Sequence, residues 1–199
     1  MNARRRKGSI WYLVLIGIVS MVLVGALMSM QPQAGVLDVG IRSSALLGYV
    51  GLFLSIISSA YLRQMLSLFG RPFVKIHHIL SIASLILITL HPLGLALRSM
   101  SLDVFVPDLT SWNRFLQLGG RPGWFIVIIA ALAAWFRRHI RSSWRVIHIL
   151  SYVAFLLITV HGLMIGTDTQ FLVVRIVMIA MAVAATAVFV AKRLRRLGR

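Results

Sequence analysis

The sequence has no cysteine and no glutamate, and its only acids are Asp38, Asp103, Asp108 and Asp168. Without cysteine there can be no disulfide, no cysteine-ligated iron–sulfur cluster, no CxxCH attachment of c-type haem and no thiol nucleophile. Four scattered aspartates also argue against a carboxylate metal site or a paired-carboxylate hydrolase. Charge itself is scarce, at 13% of the residues, where a soluble domain carries about a quarter. What fills the 199 residues instead is apolar: 59% are hydrophobic and the mean hydropathy is +0.91. With no polar block able to fold apart, the chain reads as one integral membrane domain over residues 1–199.

A membrane helix needs about 20 mostly apolar residues to cross ~30 Å of hydrocarbon at 1.5 Å per residue. Six stretches qualify, giving an all-α six-span bundle with spans near 10–30, 45–65, 77–97, 122–138, 147–165 and 171–191. The fourth is short, and reaches a spanning length only if it starts near Pro122 and runs through Arg137 and Arg138 with their side chains snorkelling. The first follows a basic N-terminus as a signal peptide would, but it is longer than the usual apolar region of about 7–15 residues and is read as a span.

The net charge of +17 invites a nucleic-acid reading, which the placement of the charges argues against. Sixteen of the 21 basic residues fall at the two termini and in the second and fourth connections. The other five, Arg42, Arg98, Arg114, Arg121 and Arg175, share the opposite face with all four acids. By the positive-inside rule both termini are then cytoplasmic, and the basic excess is a topology signal.

Five of the six histidines lie towards the ends of two spans: His77, His78 and His91 on the third, His148 and His161 on the fifth. Ionisable groups in a bilayer are costly and mark function by default. His139, among the arginines of the fourth connection, reads as an ordinary solvated residue. The two histidine spans also repeat each other. Residues 78–93, HILSIASLILITLHPL, align without a gap to 148–163, HILSYVAFLLITVHGL, with nine identities in sixteen that include His, Ser, Thr and His in register.

Both spans enter from the cytoplasmic side and run parallel, so His77 or His78 shares a depth with His148, and His91 with His161. The two levels are 13 or 14 residues apart, ~20 Å along a helix. If the fourth span fails to cross, the helices are antiparallel and the partners exchange. Facing imidazoles with apolar walls suit the two axial positions of a haem iron. Zinc is a weaker candidate, since it wants three or four ligands, and the plain alternative is interhelical hydrogen bonding. At ~100° per residue, His77 shares a face with His91 better than His78 does, although the repeat equates His78 with His148. The fifth span must be wound unevenly, or present its two histidines to different sides.

At these residues the chain resembles the ferric-reductase-like transmembrane domain. This family includes ferric reductases, NADPH oxidases and the membrane haem subunit of the bacterial periplasmic methionine sulfoxide reductase system. The histidine pairs 77/91 and 148/161 match its third- and fifth-helix patterns, and WRVIHILSY, with Trp144, His148 and Tyr152, is similar to its bacterial members. The similarity covers roughly residues 45–190. It implies six spans with b-type haems, here two, held between the third and fifth helices, the metal ligands being His77, His91, His148 and His161 with His78 as the alternative to His77. The sequence contains no GxGxxG phosphate loop, so FAD, FMN or quinone is expected only through a partner or weakly bound, and a nicotinamide only with a partner, unless a quinol is the donor.

The expected function is therefore a b-type cytochrome: electrons enter from a cytoplasmic flavin reductase or a quinol and leave to an outer acceptor, which could be a periplasmic oxidoreductase, ferric iron or oxygen. Haem propionates need cations, for which Arg71, Lys75 and Arg145 stand at the inner level and Arg98, Arg114 and Arg121 at the outer. The connection 99–121, with Trp112, is expected to be a lid, a docking face or an interfacial anchor. The Arg cluster 137–145 could steer an acidic flavoprotein, and the scattered methionines read as packing. The competing class is a non-enzymatic membrane component, either a histidine-based metal transporter or a haem-binding assembly factor.

Overall fold

The computed structural model describes residues 20, 24–25, 35–69 and 73–197. Among them there is no strand. The helices are α1 (Val36–Ala60), α2 (Leu62–Phe69), α3 (Phe73–Ser99), α4 (Trp112–Gln117), α5 (Gly120–Trp135), α6 (Ser143–His148), α7 (Leu150–Ile165) and α8 (Leu172–Leu197). Short 3-10 turns lie at Asp103–Phe105 and Thr167–Gln170. Four helical stretches are long and apolar enough to cross a membrane: Val36–Ala60, Val74–Ser99, Ser143–Ile165 and Leu172–Leu194.

Several span boundaries differ from expectation. The expected first span, 10–30, lies outside the described residues apart from Ser20, Val24 and Gly25, which are helical. The second, expected at 45–65, begins nine residues earlier, at Val36. Asp38 interrupts the apolar run, but it sits in the first helical turn, where the positive end of the helix dipole favours an acid. This helix stops at Ala60 because Tyr61 leaves helical geometry, with φ −110° and ψ 29°. The eight residues of α2 follow separately, with Met65 and Leu66 half-buried and Arg63, Gln64 and Ser67 exposed. Where the fourth span is expected, at 122–138, the structure has the apolar helix Gly120–Trp135, which is shorter than the four stretches long enough to cross. Arg137 and Arg138 do not prolong it, since the chain turns at Phe136 and both arginines remain exposed, with Arg141 left-handed at φ 48°. Sixteen residues reach about 24 Å at 1.5 Å each.

The chain forms two compact units, residues 1–94 and 95–199, whose boundary falls inside α3. In the first, α1 runs antiparallel to α3 along a seam of small residues. A Cβ added to Gly48 would stand 2.8 Å from Ile88 Cγ1, and one on Gly51 would collide with the Ser84 hydroxyl. Ser81 Oγ donates to Ser55 Oγ at 3.2 Å across the same seam. Small residues let helix backbones approach closely where lipid supplies no hydrophobic drive for association. The exposed residues Ile79, Ile82, Ile86, Leu90, Leu93 and Leu97 of α3 recur every three or four positions, an apolar stripe suited to hydrocarbon. At its C-terminus α3 closes with Met100 left-handed (φ 50°) and Ser101 N–H bonded to Ala96 O at 3.2 Å, the Schellman pattern.

In the second unit α5 runs antiparallel to α7. Cβ atoms on Gly119 and Gly123 would meet Leu157 O and Ile158 Cγ1, each at 3.0 Å, so glycine permits the close approach. Ala154 and Phe155 are fully buried at its centre. Helix α8 packs on the far side of α7, with Met178 seated over Gly162 and Tyr152 against Phe189.

Candidate functional site

Four of the five candidate histidines are held through Nδ1. His91 Nδ1 lies 3.1 Å from Ile41 O, His148 Nδ1 3.0 Å from Ala130 O, and His161 Nδ1 2.7 Å from Gln117 O. His77 Nδ1 lies 3.3 Å from the hydroxyl of Ser58. A carbonyl oxygen can only accept, so Nδ1 carries the proton in the first three, and in the neutral ring the lone pair then sits on Nε2. A histidine prepared as a metal ligand is oriented in this way, its second nitrogen donating to a backbone oxygen.

The local sequence explains how each ring reaches its acceptor. Gln117 is the last residue of α4, a position whose carbonyl lacks an i+4 partner, because Arg121 N–H bonds instead to Leu118 O at 2.9 Å. His161 donates to that carbonyl, and Gly120 makes room for the ring: a Cβ there would stand 2.8 Å from His161 Cδ2 and 2.9 Å from Nε2. His91 has a corresponding arrangement one turn before Gly94, where a Cβ would press to 2.5 Å on Ile41 Cγ1. Ile41 O also accepts from Ser44 Oγ at 2.9 Å.

The winding at the start of the fifth span is uneven. Ile149 separates α6 from α7 with φ −66° and ψ −19°, and Tyr152 N–H bonds to Ile149 O at 3.1 Å, a three-residue step. Tighter 3-10 winding turns the chain by about 20° more per residue than an α-helix does, which supplies part of the rotation that a spacing of thirteen requires. Both rings of this span reach the segment from Gln117 to Ala130. The repeated threonines also behave alike: Thr89 donates to Leu85 O and Thr159 to Phe155 O, both at 2.8 Å.

His78 is exposed on the side of α3 that carries Ile79 and Ile82, while the half-buried His77 faces α1. His139 is exposed beside Phe136. Among the described residues no three His, Asp or Glu side chains gather where they could hold a metal ion.

Of the cations expected beside a cofactor, Arg71 lies outside the described residues. Lys75 and Arg98 are exposed. Arg145 places its guanidinium 5.7 Å from the Trp144 ring, which stands 5.9 Å from His148. Arg114 pairs with Asp108 at 3.5 Å, and Arg121 Nη1 donates to Val106 O at 2.6 Å. These two contacts tie down the connection 101–119, helped by Ser111 capping α4 and by Phe105 against Trp124. Asp108 also accepts from the Thr110 hydroxyl and N–H, which with nearby Arg114 and Arg121 hold its pKa below the ordinary carboxylate value. Trp112 stacks on Phe115 and remains exposed.

Sequence reasoning picked out the histidines but not Ser58, Gly94 or Gly120, nor the carbonyl acceptors. A glycine three residues after His91 and the paired glycines 119–120 were the only available signals.

No curated protein and no solved structure matches the chain. The family described as ferric reductase like transmembrane component matches residues 42–159, more than half of the sequence and inclusive of His77, His78, His91 and His148, with His161 two residues beyond. The chain is a multi-pass membrane protein and belongs to that family.

Proposed function

We propose that this protein is a b-type cytochrome that carries electrons across the membrane, in which His77 and His148 would hold haem at one level and His91 and His161 at the other. The observation that carries this reading is the common preparation of four imidazoles, each held at Nδ1 by an oxygen of the neighbouring helical segment. The pairing of His91 with His161 follows the internal repeat of the two histidine spans; the repeat sets His78 against His148, and His77 is taken in its place because its ring is held at Nδ1 while His78 is exposed. Bound at these two levels, b-type haem supplies one-electron chemistry, and two imidazoles per iron favour electron transfer over oxygen binding.

The chain's own contribution is to bind and orient. Nδ1 bonds fix each ring plane and raise its basicity as a ligand. The apolar side chains of α3 and α7 provide a low-dielectric surround from which water is excluded. Lys75 and Arg145 at one level, and Arg98, Arg114 and Arg121 at the other, are the cations available to propionates. The basic residues of 137–145 suit a cytoplasmic donor, a separate flavoprotein or a membrane quinol, and the ordered 101–119 connection suits an outer acceptor. This orientation, with both termini cytoplasmic, rests on the positive-inside distribution, and a bacterial inner membrane on the likeness of WRVIHILSY to the bacterial members of the family.

Proteoliposomes test the proposal. Vesicles that contain the haem-loaded protein and enclose ferricyanide should bleach it when dithionite is added outside. Vesicles with a His148→Ala, His161→Ala double variant should bleach no faster than empty ones. Equal rates for wild type and double variant would contradict the proposal.

A further inference from the structure

His77 differs from the other three anchored histidines in what holds it. Its Nδ1 partner is a hydroxyl, and a hydroxyl can either donate or accept. The second contact of that hydroxyl decides between the two. Ser58 Oγ lies 3.0 Å from Ser55 O, nearer than the 3.3 Å to His77 Nδ1. The carbonyl can only accept, so it takes the single Ser58 proton, and the oxygen lone pair is left towards His77. Nδ1–H then donates to Ser58, and Nε2 carries the ligand lone pair. The chain of bonds His77 → Ser58 → Ser55 thus does at this position what a peptide carbonyl does at the others. His78, exposed on another side of α3, has no place in it.

We infer that Ser58 is a positioning residue for His77: it selects the tautomer that ligates iron, and as a weaker acceptor than a carbonyl it sets the redox potential of the level to which His77 belongs. This deepens the proposed function and rests on it. The more strongly Nδ1–H is accepted, the more basic the imidazole becomes and the more it favours ferric over ferrous iron. Replacing the hydroxyl with a stronger acceptor lowers the potential of that level, and removing the acceptor raises it.

The test is a spectroscopic redox titration of the purified, haem-loaded protein. In Ser58→Asp one of the two midpoints should fall by the equivalent of about tenfold in the one-electron equilibrium, about 59 mV. The other midpoint should stay in place. In Ser58→Ala the same midpoint should rise by a smaller amount. Ser59→Ala is the control, since its hydroxyl bonds only to Ile56 O among the contacts seen, at 2.8 Å on the same helix, and should move neither midpoint. If the aspartate variant fails to assemble, the rise in Ser58→Ala carries the test. Unmoved midpoints in Ser58→Ala, or a shift of both midpoints together, would overturn the role of Ser58. A wild-type protein without haem bands is a different result: it removes the proposed function and this inference with it.

Discussion

The two antiparallel helix pairs, α1 with α3 and α5 with α7, hold one of their histidines alike and the other differently. His91 and His161 each donate to a main-chain carbonyl, and each has a glycine close by, Gly94 and Gly120. At the other end of each pair, His148 again meets a carbonyl, but His77 meets the side chain of Ser58. A carbonyl acceptor is set by the backbone and survives any substitution that leaves the fold intact. A hydroxyl acceptor depends on one residue. Three of the rings thus have a main-chain acceptor at Nδ1, and the fourth a side-chain acceptor that substitution can strengthen or remove.

The largest effect expected concerns the proposed pairing of His91 with His161. Replacing either with alanine should remove one haem and leave one per chain, read from the pyridine haemochrome spectrum. If either variant lost all haem, the two levels would not be independent and the comparison between them would collapse.

Next come the glycines beside these rings. Gly120→Ala places a methyl group against the His161 ring itself, whereas Gly94→Ala presses on the side chain of Ile41. Displacing an outer partner of a metal ligand costs about 10- to 100-fold in affinity. Haem titration of the apoprotein should show a loss of about tenfold for Gly120→Ala and a smaller one for Gly94→Ala. Equal losses would mean that Gly120 does not lie against the His161 ring as the contacts indicate.

A third comparison is between the two helix seams. Gly51→Ala collides with Ser84 across the α1–α3 seam, while Gly123→Ala meets Ile158 Cγ1 at 3.0 Å in the other unit. Overpacking of this kind costs about 1–3 kcal/mol. In detergent unfolding curves Gly51→Ala should be the more destabilised, and the reverse order would show the α1–α3 seam to be the looser one.

The smallest effect is at Asp108, whose pKa is lowered chiefly by the Thr110 hydroxyl. A depressed carboxylate contributes order above its unfolded value and loses it as pH falls through the folded one. Protease cutting within 101–119 should therefore stay slow at pH 5 and rise only below about pH 4, and Thr110→Ala should move that rise to higher pH. A pH-independent cutting rate would contradict it.

The histidines were legible because residue type and spacing carry the signal: the repeat of 78–93 in 148–163 shows in the letters. What orients them was not legible. Every residue has a carbonyl, so nothing in the letters marks Ile41, Ala130 or Gln117 as acceptors. Ser58 is one of several serines in α1, and only the register of α1 against α3 sets it opposite His77. The span ends were blurred for a related reason. Asp38 interrupts an apolar run that the helix itself continues through, and Arg137 and Arg138 follow Trp135 closely enough to look like a snorkelling extension of a helix that has already turned. Arithmetic on the thirteen-residue spacing, by contrast, called for either uneven winding of the fifth span or histidines on different sides, and the break at Ile149 supplies part of that rotation.

The most direct measurement is the haem content and the dithionite-reduced spectrum of the detergent-purified protein, expressed with ample haem supply. The proposed pairing of four prepared imidazoles predicts sharp paired bands of b-type haem at two haems per chain. A colourless protein, or one whose bands persist unchanged when His148 and His161 are both replaced, would contradict the assignment.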